Sequence, residues 1–219
     1  MTDTDILAEA VGAGRVFGTN GSRVVALKHA TCRIVRGDRI ALVGPSGSGK
    51  STLLHLLAGL DEPTSGTIRW PALGERETLR PSKVSFVFQT ESLLAPLTVL
   101  ENIEVPRLLI GSNADEARKD ASEILGDLDL AELADKLPEE ISGGQAQRAA
   151  VARSLITRPA LILADEPTGQ LDHHTAKHLL SLLLRRIKGT DAALVIATHD
   201  PVIASRMETQ WTMDHGVLR

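Results

Sequence analysis

Four short apolar runs, at residues 40–43, 84–88, 161–164 and 192–197, show no alternation with polar residues. A strand with one wet face alternates, whereas a strand buried on both faces does not. The runs therefore predict strands of a parallel sheet covered by helices. Helical stretches fall between and after them, which makes the fold class α/β with a layered core. Ahead of the first run the pattern changes. Residues 23–26 and 31–35 read as two antiparallel strands separated by residues 28–30, with turn-rich punctuation at 18–21 and 63–66.

Between residues 90 and 140 the period becomes helical. Asn113 followed by Glu116 predicts a capping box. Ala117, Ala121, Ile124, Leu125 and Leu128 form the apolar stripe of the helix it opens, and Gly126 lies near its end. A second short helix is predicted at 131–136, stopped before Pro138. The chain thus reads as one domain over residues 1–219. Residues 1–89 and 141–219 form an α/β core with an N-terminal antiparallel β region, and 90–140 an inserted helical lobe.

Composition adds constraints. Aromatic residues are 2% of the 219, with no Tyr, so the core rests on Leu, Ile, Val and Ala. A net charge of −4 argues against a nucleic-acid binder that works by neutralising phosphates. The single cysteine, Cys32, permits no internal disulfide or cysteine-rich zinc site, and reads as a small buried hydrophobe. Residues 1–5 carry acids where a secretory leader carries bases. No apolar run approaches the roughly 18 residues that span a bilayer. The expectation is a chain soluble by itself, with any membrane role exercised through a partner.

The first chemical motif is Gly44-Pro-Ser-Gly-Ser-Gly-Lys50-Ser51, a G-x-x-x-x-G-K-[ST] loop between a predicted strand and the apolar helix predicted at 52–58. Glycines let the backbone curl so that its N–H groups face phosphate oxygens, and the helix offers its positive end to the same anion. Gly44, Pro45, Ser46, Gly47, Ser48 and Gly49, with Lys50, Ser51 and Thr52, are the expected nucleotide-binding residues. Lys50 reaches the β- and γ-phosphates and the Ser51 hydroxyl binds Mg²⁺. The second motif is Asp165-Glu166, ending a buried strand at the sheet edge where open α/β folds bind ligands. Asp165 is expected to hold Mg²⁺, and Glu166 to act as general base on the attacking water.

The segment Ile141-Ser142-Gly143-Gly144-Gln145-Ala146-Gln147-Arg148 opens a helix continuing through Ala149, Ala150, Val151 and Leu155. It offers a second anion-binding helix end, redundant within a chain whose P-loop already cradles phosphates. This segment resembles the LSGGQ signature of ATP-binding cassette (ABC) ATPases, with Ile for the first Leu. The resemblance runs over nearly the whole chain and implies a P-loop NTPase (RecA-like) core. In that family the signature contacts the γ-phosphate of ATP held by the opposite subunit of a head-to-tail homodimer, which here implicates Ser142, Gly143, Gly144 and Gln145. Phe86-Val-Phe-Gln89 is similar to the Q-loop, whose Gln helps position Mg²⁺ and water, so Gln89 joins the metal and catalytic sets. Gly169-Gln-Leu-Asp172 is similar to the D-loop, and His199 to the switch histidine on the γ-phosphate. Phe17 stands where the family stacks an aromatic on adenine. Gln170 replaces a more usual Asn, and 68–83 is shorter than the usual segment. His55, His173 and His174 carry no implied role.

Segments 59–66, 97–102 and 164–169 resemble the macrolide-exporter, lipoprotein-release and haem-efflux branch. This implies an ATPase on the cytoplasmic face of the membrane, energising a separate permease to export or extract an amphiphilic substrate. The alternative is a non-transport ABC ATPase regulating a membrane partner in the cell envelope. DNA-repair and ribosome-acting members carry insertions or second cassettes for which this chain has no room.

Overall fold

The computed structural model describes residues 3–18, 22–89, 92–169 and 171–219. Part of the expected turn at 18–21, the first residues of the expected lobe and Gln170 lie outside them.

All four apolar runs form strands: β3 (Arg39–Val43), β5 (Val84–Val87), β6 (Leu161–Asp165) and β7 (Ala193–Thr198). With β8 (Thr209–Asp214) they pair in parallel in the order β8-β3-β7-β6-β5. Alternate residues of one strand serve two cores. Ile162 and Ala164 face a core on one side of the sheet, Leu161 and Leu163 a core on the other. Both faces are dry, which is why the runs lack alternation.

The antiparallel region differs from expectation. Residues 24–35 form one strand, β2 (Val24–Val35), not two separated at 28–30. The Lys28 and His29 amides donate to the Gly216 carbonyl, at 2.7 and 3.2 Å, so the backbone continues extended through the supposed break. Its partner β1 (Ile6–Phe17) pairs with it through several bulges, and with β4 (Ser65–Arg69) on the other side. Ser65 and Gly66 are therefore strand rather than turn. Glu9 is buried in β1, where Arg33 Nε of β2 and Arg69 Nη2 of β4 each reach it at 2.5 Å. Those two hydrogen bonds hold its carboxyl below the usual carboxylate range. The short β9 (Val217–Leu218) joins this region to β8.

Helix α1 (Lys50–Leu57) covers one face. The other carries α2 (Val99–Leu109), α3 (Ala114–Asp127), α4 (Gly143–Leu155) and α5 (His173–Ile187), with the single-turn α6 (Pro201–Ala204) beside them. The stripe expected on α3 is buried throughout. Asn113 does cap α3, by accepting from the Asp115 amide at 2.8 Å, without a reciprocal Glu116 bond among the described residues. A full capping box stands at α2, between Thr98 and Glu101. The expected helix at 131–136 is only the 3₁₀ turn Ala131–Leu133. Pro138 opens a second such turn, Pro138–Glu140, because a residue without N–H suits a first helical position. Cys32 is half-buried, its thiol pushed up to about 12 by burial. Among the described residues no helix is long and apolar enough to cross a membrane.

Candidate functional site

The parallel strand β3 delivers the loop 44–49 to the carboxyl edge of the sheet. Two of its glycines are required by close approach. A Cβ on Gly44 would lie 2.2 Å from the Met213 carbonyl oxygen, and one on Gly49 2.5 Å from that of Ala26. Both residues have positive φ as well, +154° and +106°. The loop is backed by the turn between β8 and β9, where the Gly216 amide donates to the Ser48 carbonyl at 2.8 Å. Lys50, first in α1, is buried, and its ammonium donates to the Gly44 and Pro45 carbonyls at 2.9 and 3.0 Å. The buried Ser48 hydroxyl has no partner among the described residues.

In front of the loop lies a cleft of about 580 Å³. Ser46, Gly47, Gly49, Lys50, Ser51 and Thr52 line it from the loop side, and Ala26, Gln89, Glu166 and His199 from the others. Glu166 is the meeting point. Lys50 Nζ lies 4.0 Å from Oε1, while Gln89 Nε2 and His199 Nδ1 lie 3.4 and 3.2 Å from Oε2. Glu166 also has φ +44°, a conformation costing a non-glycine residue about 1–3 kcal/mol and concentrated at functional sites. Its amide donates to the Ala197 carbonyl of β7 at 3.0 Å, which fixes the turn that aims the carboxylate. Asp165, one residue earlier, is buried and points to the Ser51 hydroxyl. Burial holds its carboxyl above the usual range, opposed by the Ser51 hydrogen bond and then by the charge of His55. The His55 ring packs on Phe86 at 5.1 Å.

The remaining expected residues stand apart from this cleft. Ser142 is exposed and N-caps α4 through a box in which its hydroxyl accepts from the Gln145 amide at 3.3 Å, and its own amide donates to Gln145 Oε1 at 2.8 Å. Gly143 is the first residue of α4. A Cβ on Gly144 would lie 3.0 Å from the Leu171 side chain, so glycine lets α4 pack against the loop entering α5. Asp172 N-caps α5, accepting from the His174 and Thr175 amides and, at 2.6 Å, from the Thr175 hydroxyl. That last bond is the main reason its carboxyl is lowered. His173 lies 3.6 Å from Asp200. Phe17 ends β1, 41% exposed, with the Arg15 guanidinium 4.7 Å from its ring centre.

Three residues near the site were given no role by the sequence. Ala26 lines the cleft and Gly216 backs the loop, both through fold alone. Gln147 is buried in α4 and donates to the Phe88 carbonyl at 3.3 Å. Its one sequence signal was its place two residues beyond Gln145.

The family profile described as ABC transporter matches residues 27–169. The lipoprotein-releasing system ATP-binding protein LolD of Bordetella pertussis (strain Tohama I) is 42% identical over 224 residues, covering 99% of this chain and 97% of that protein. The protein of the same name from Legionella pneumophila (strain Paris) is 42% identical over 221 residues, covering 98% and 97%. Among solved structures, an ATP-binding cassette captured as a dimer after hydrolysis, with ADP and Pi bound, superposes with a TM-score of 0.89. It shares 32% identity and covers 97% of this chain and 96% of its own.

Proposed function

This chain belongs to the ABC transporter family as an ATP-binding, ATP-hydrolysing subunit, and from that premise we propose which residues do the work and what the work drives. The observation that carries the reading is the convergence of Lys50, Gln89 and His199 on Glu166 at the mouth of the loop cleft. Three different segments of chain meet there. No packing requirement explains a partly buried carboxylate so surrounded.

In this reading the amides of residues 46–51 and the positive end of α1 hold the ATP phosphates. The Lys50 ammonium leaves its two carbonyls for the β- and γ-phosphate oxygens, a stronger charge-assisted pairing. Glu166 takes a proton from water as the water oxygen bonds to the γ-phosphorus. The bond from phosphorus to the bridging oxygen breaks, and that oxygen leaves on ADP. His199 donates to the γ-phosphate and Gln89 orients the water. Ser51 and Asp165 suit Mg²⁺, because hydroxyl and carboxylate oxygens are the hard donors it prefers. The buried carboxyl of Asp165 stands against the Ser51 hydroxyl, so the two oxygens are presented together. The ion would supply charge neutralisation on the phosphates.

Ser142, Gly143, Gly144 and Gln145 serve the nucleotide of a second copy, giving a head-to-tail homodimer with two shared sites. Asp172 and its loop lie between those sites, and Phe17 stacks on adenine. Residues 90–140 form the lobe that couples the dimer to an integral membrane permease, with the ATPase at the cytoplasmic face. The relatives named for lipoprotein release suit an amphiphilic cargo drawn from a bilayer by that permease. Glu166→Gln tests the centre of the reading. Gln keeps the shape but is no base, so turnover should fall about 10²- to 10⁴-fold while ATP binding survives. Near-normal steady-state hydrolysis by this variant would overturn the assignment.

A further inference from the structure

The signature helix α4 grips the segment that carries Gln89 from both sides. Gln147, 1% exposed, donates from Nε2 to the carbonyl of Phe88, the residue before Gln89. Six residues further along α4, Arg153 donates to the Ser92 carbonyl at 2.8 Å and to the Ser92 hydroxyl at 2.7 Å. On its other flank the segment is pressed by aromatic rings. Phe88 packs on Phe86 at 4.6 Å, and Phe86 on His55 of α1 at 5.1 Å. Two of the three phenylalanines in the chain are spent here.

Gln147 is also an expensive choice for a core position. Its Oε1 is buried without a partner among the described residues, a cost that Met or Leu of similar volume would not incur. A buried amide that is half satisfied marks a place where something other than packing is selected. From these contacts we infer that Gln147 is a positioning residue through which α4 holds Gln89 against Glu166. Occupation of the Ser142 end of α4 by the partner's nucleotide is thereby transmitted to this chain's own catalytic carboxylate. The inference rests on the head-to-tail reading above.

The test uses the full chain. ATP-dependent dimerisation of the unmodified protein is recorded first by light scattering. Its absence overturns the head-to-tail reading and this inference with it. Given dimerisation, Gln147→Met should leave the affinity of the isolated chain for a fluorescent ATP analogue unchanged. It should lower kcat about ten- to a hundredfold, as expected for a misplaced catalytic group. The Hill coefficient for ATP should fall toward one. Gln147→His, which offers a ring N–H at similar reach, should recover much of kcat. Unchanged kcat and cooperativity in Gln147→Met overturn the inference alone. So does a matching loss of nucleotide affinity and melting temperature, which would reveal a merely structural residue. If Gln147→Met does not fold, Gln147→Leu takes its place with the same outcomes.

Discussion

The helix N-termini of α1 and α4 are both proposed to meet phosphate, and they are finished to different degrees. At α1 the helix end is roofed by a glycine loop, its lysine is buried on two carbonyls, and three side chains from distant segments meet on one carboxylate in front of it. At α4 the end is exposed, is closed only by its own Ser142–Gln145 box, and faces none of that machinery. The same backbone electrostatics are present in both. What differs is whether the chain itself supplies a ligand to place there. In the proposed reading the α1 end is a complete phosphate site, and the α4 end is half of one.

The largest expected effect comes from breaking each half separately. Lys50→Ala should lose nucleotide binding, whereas Ser142→Arg should keep it in the isolated chain but lose ATP-driven dimerisation and hydrolysis. Mixing the two inactive chains creates one site with neither lesion, so some ATPase activity should return. Dimerisation and hydrolysis surviving in Ser142→Arg would mean that the α4 end is not used, and the contrast would collapse. A smaller effect should follow at the rim of the finished site. Phe17→Ala should weaken ATP binding by about 1–3 kcal/mol, and Phe17→Trp should restore it. Unchanged affinity would assign Phe17 to its contact with Arg15 alone. The smallest effect sharpens the contrast from the side of stability. Ser142→Ala removes a cap and should cost about 1 kcal/mol in urea unfolding. Hydrolysis should fall by more than that loss explains if Ser142 also serves the partner's nucleotide, as proposed.

How much of this could be read beforehand depended on range. The parallel strands were legible because double-sided burial leaves an unbroken apolar run, and the P-loop because its glycines are local. Strand β1 was not. Glu9 sits inside it, and Arg33 and Arg69, brought in by two other strands, make a buried acid tolerable there. Helix α2 went unmarked because Pro106 lies inside it, in a sequence otherwise suited to a capped helix. The break expected in β2 vanished for a similar reason, since the turn at Gly216 supplies the acceptor that keeps residues 28 and 29 extended. The site itself divides along the same line. Glu166 was legible from its place at the end of a buried strand, and Gln89 and His199 from motif resemblance, while their meeting on one carboxylate is a property of the sheet order. Gln147 stood inside the signature segment without a role of its own, because its partner is a backbone carbonyl.

The Gly216–Ser48 hydrogen bond has a consequence for synthesis. A ribosome adds residues in one direction, and the P-loop emerges early. Yet β3, which delivers the loop, has β7 and β8 as its neighbours, and the loop is fastened by the turn just beyond β8. A nascent chain halted before Gly216 carries every phosphate-binding residue of the P-loop and lacks the strut behind it. Such a chain should fail to retain nucleotide. On the proposed assignment of the loop, retention of ATP should then begin only once Gly216 has been added, which nucleotide binding by a chain truncated before Gly216 would disprove.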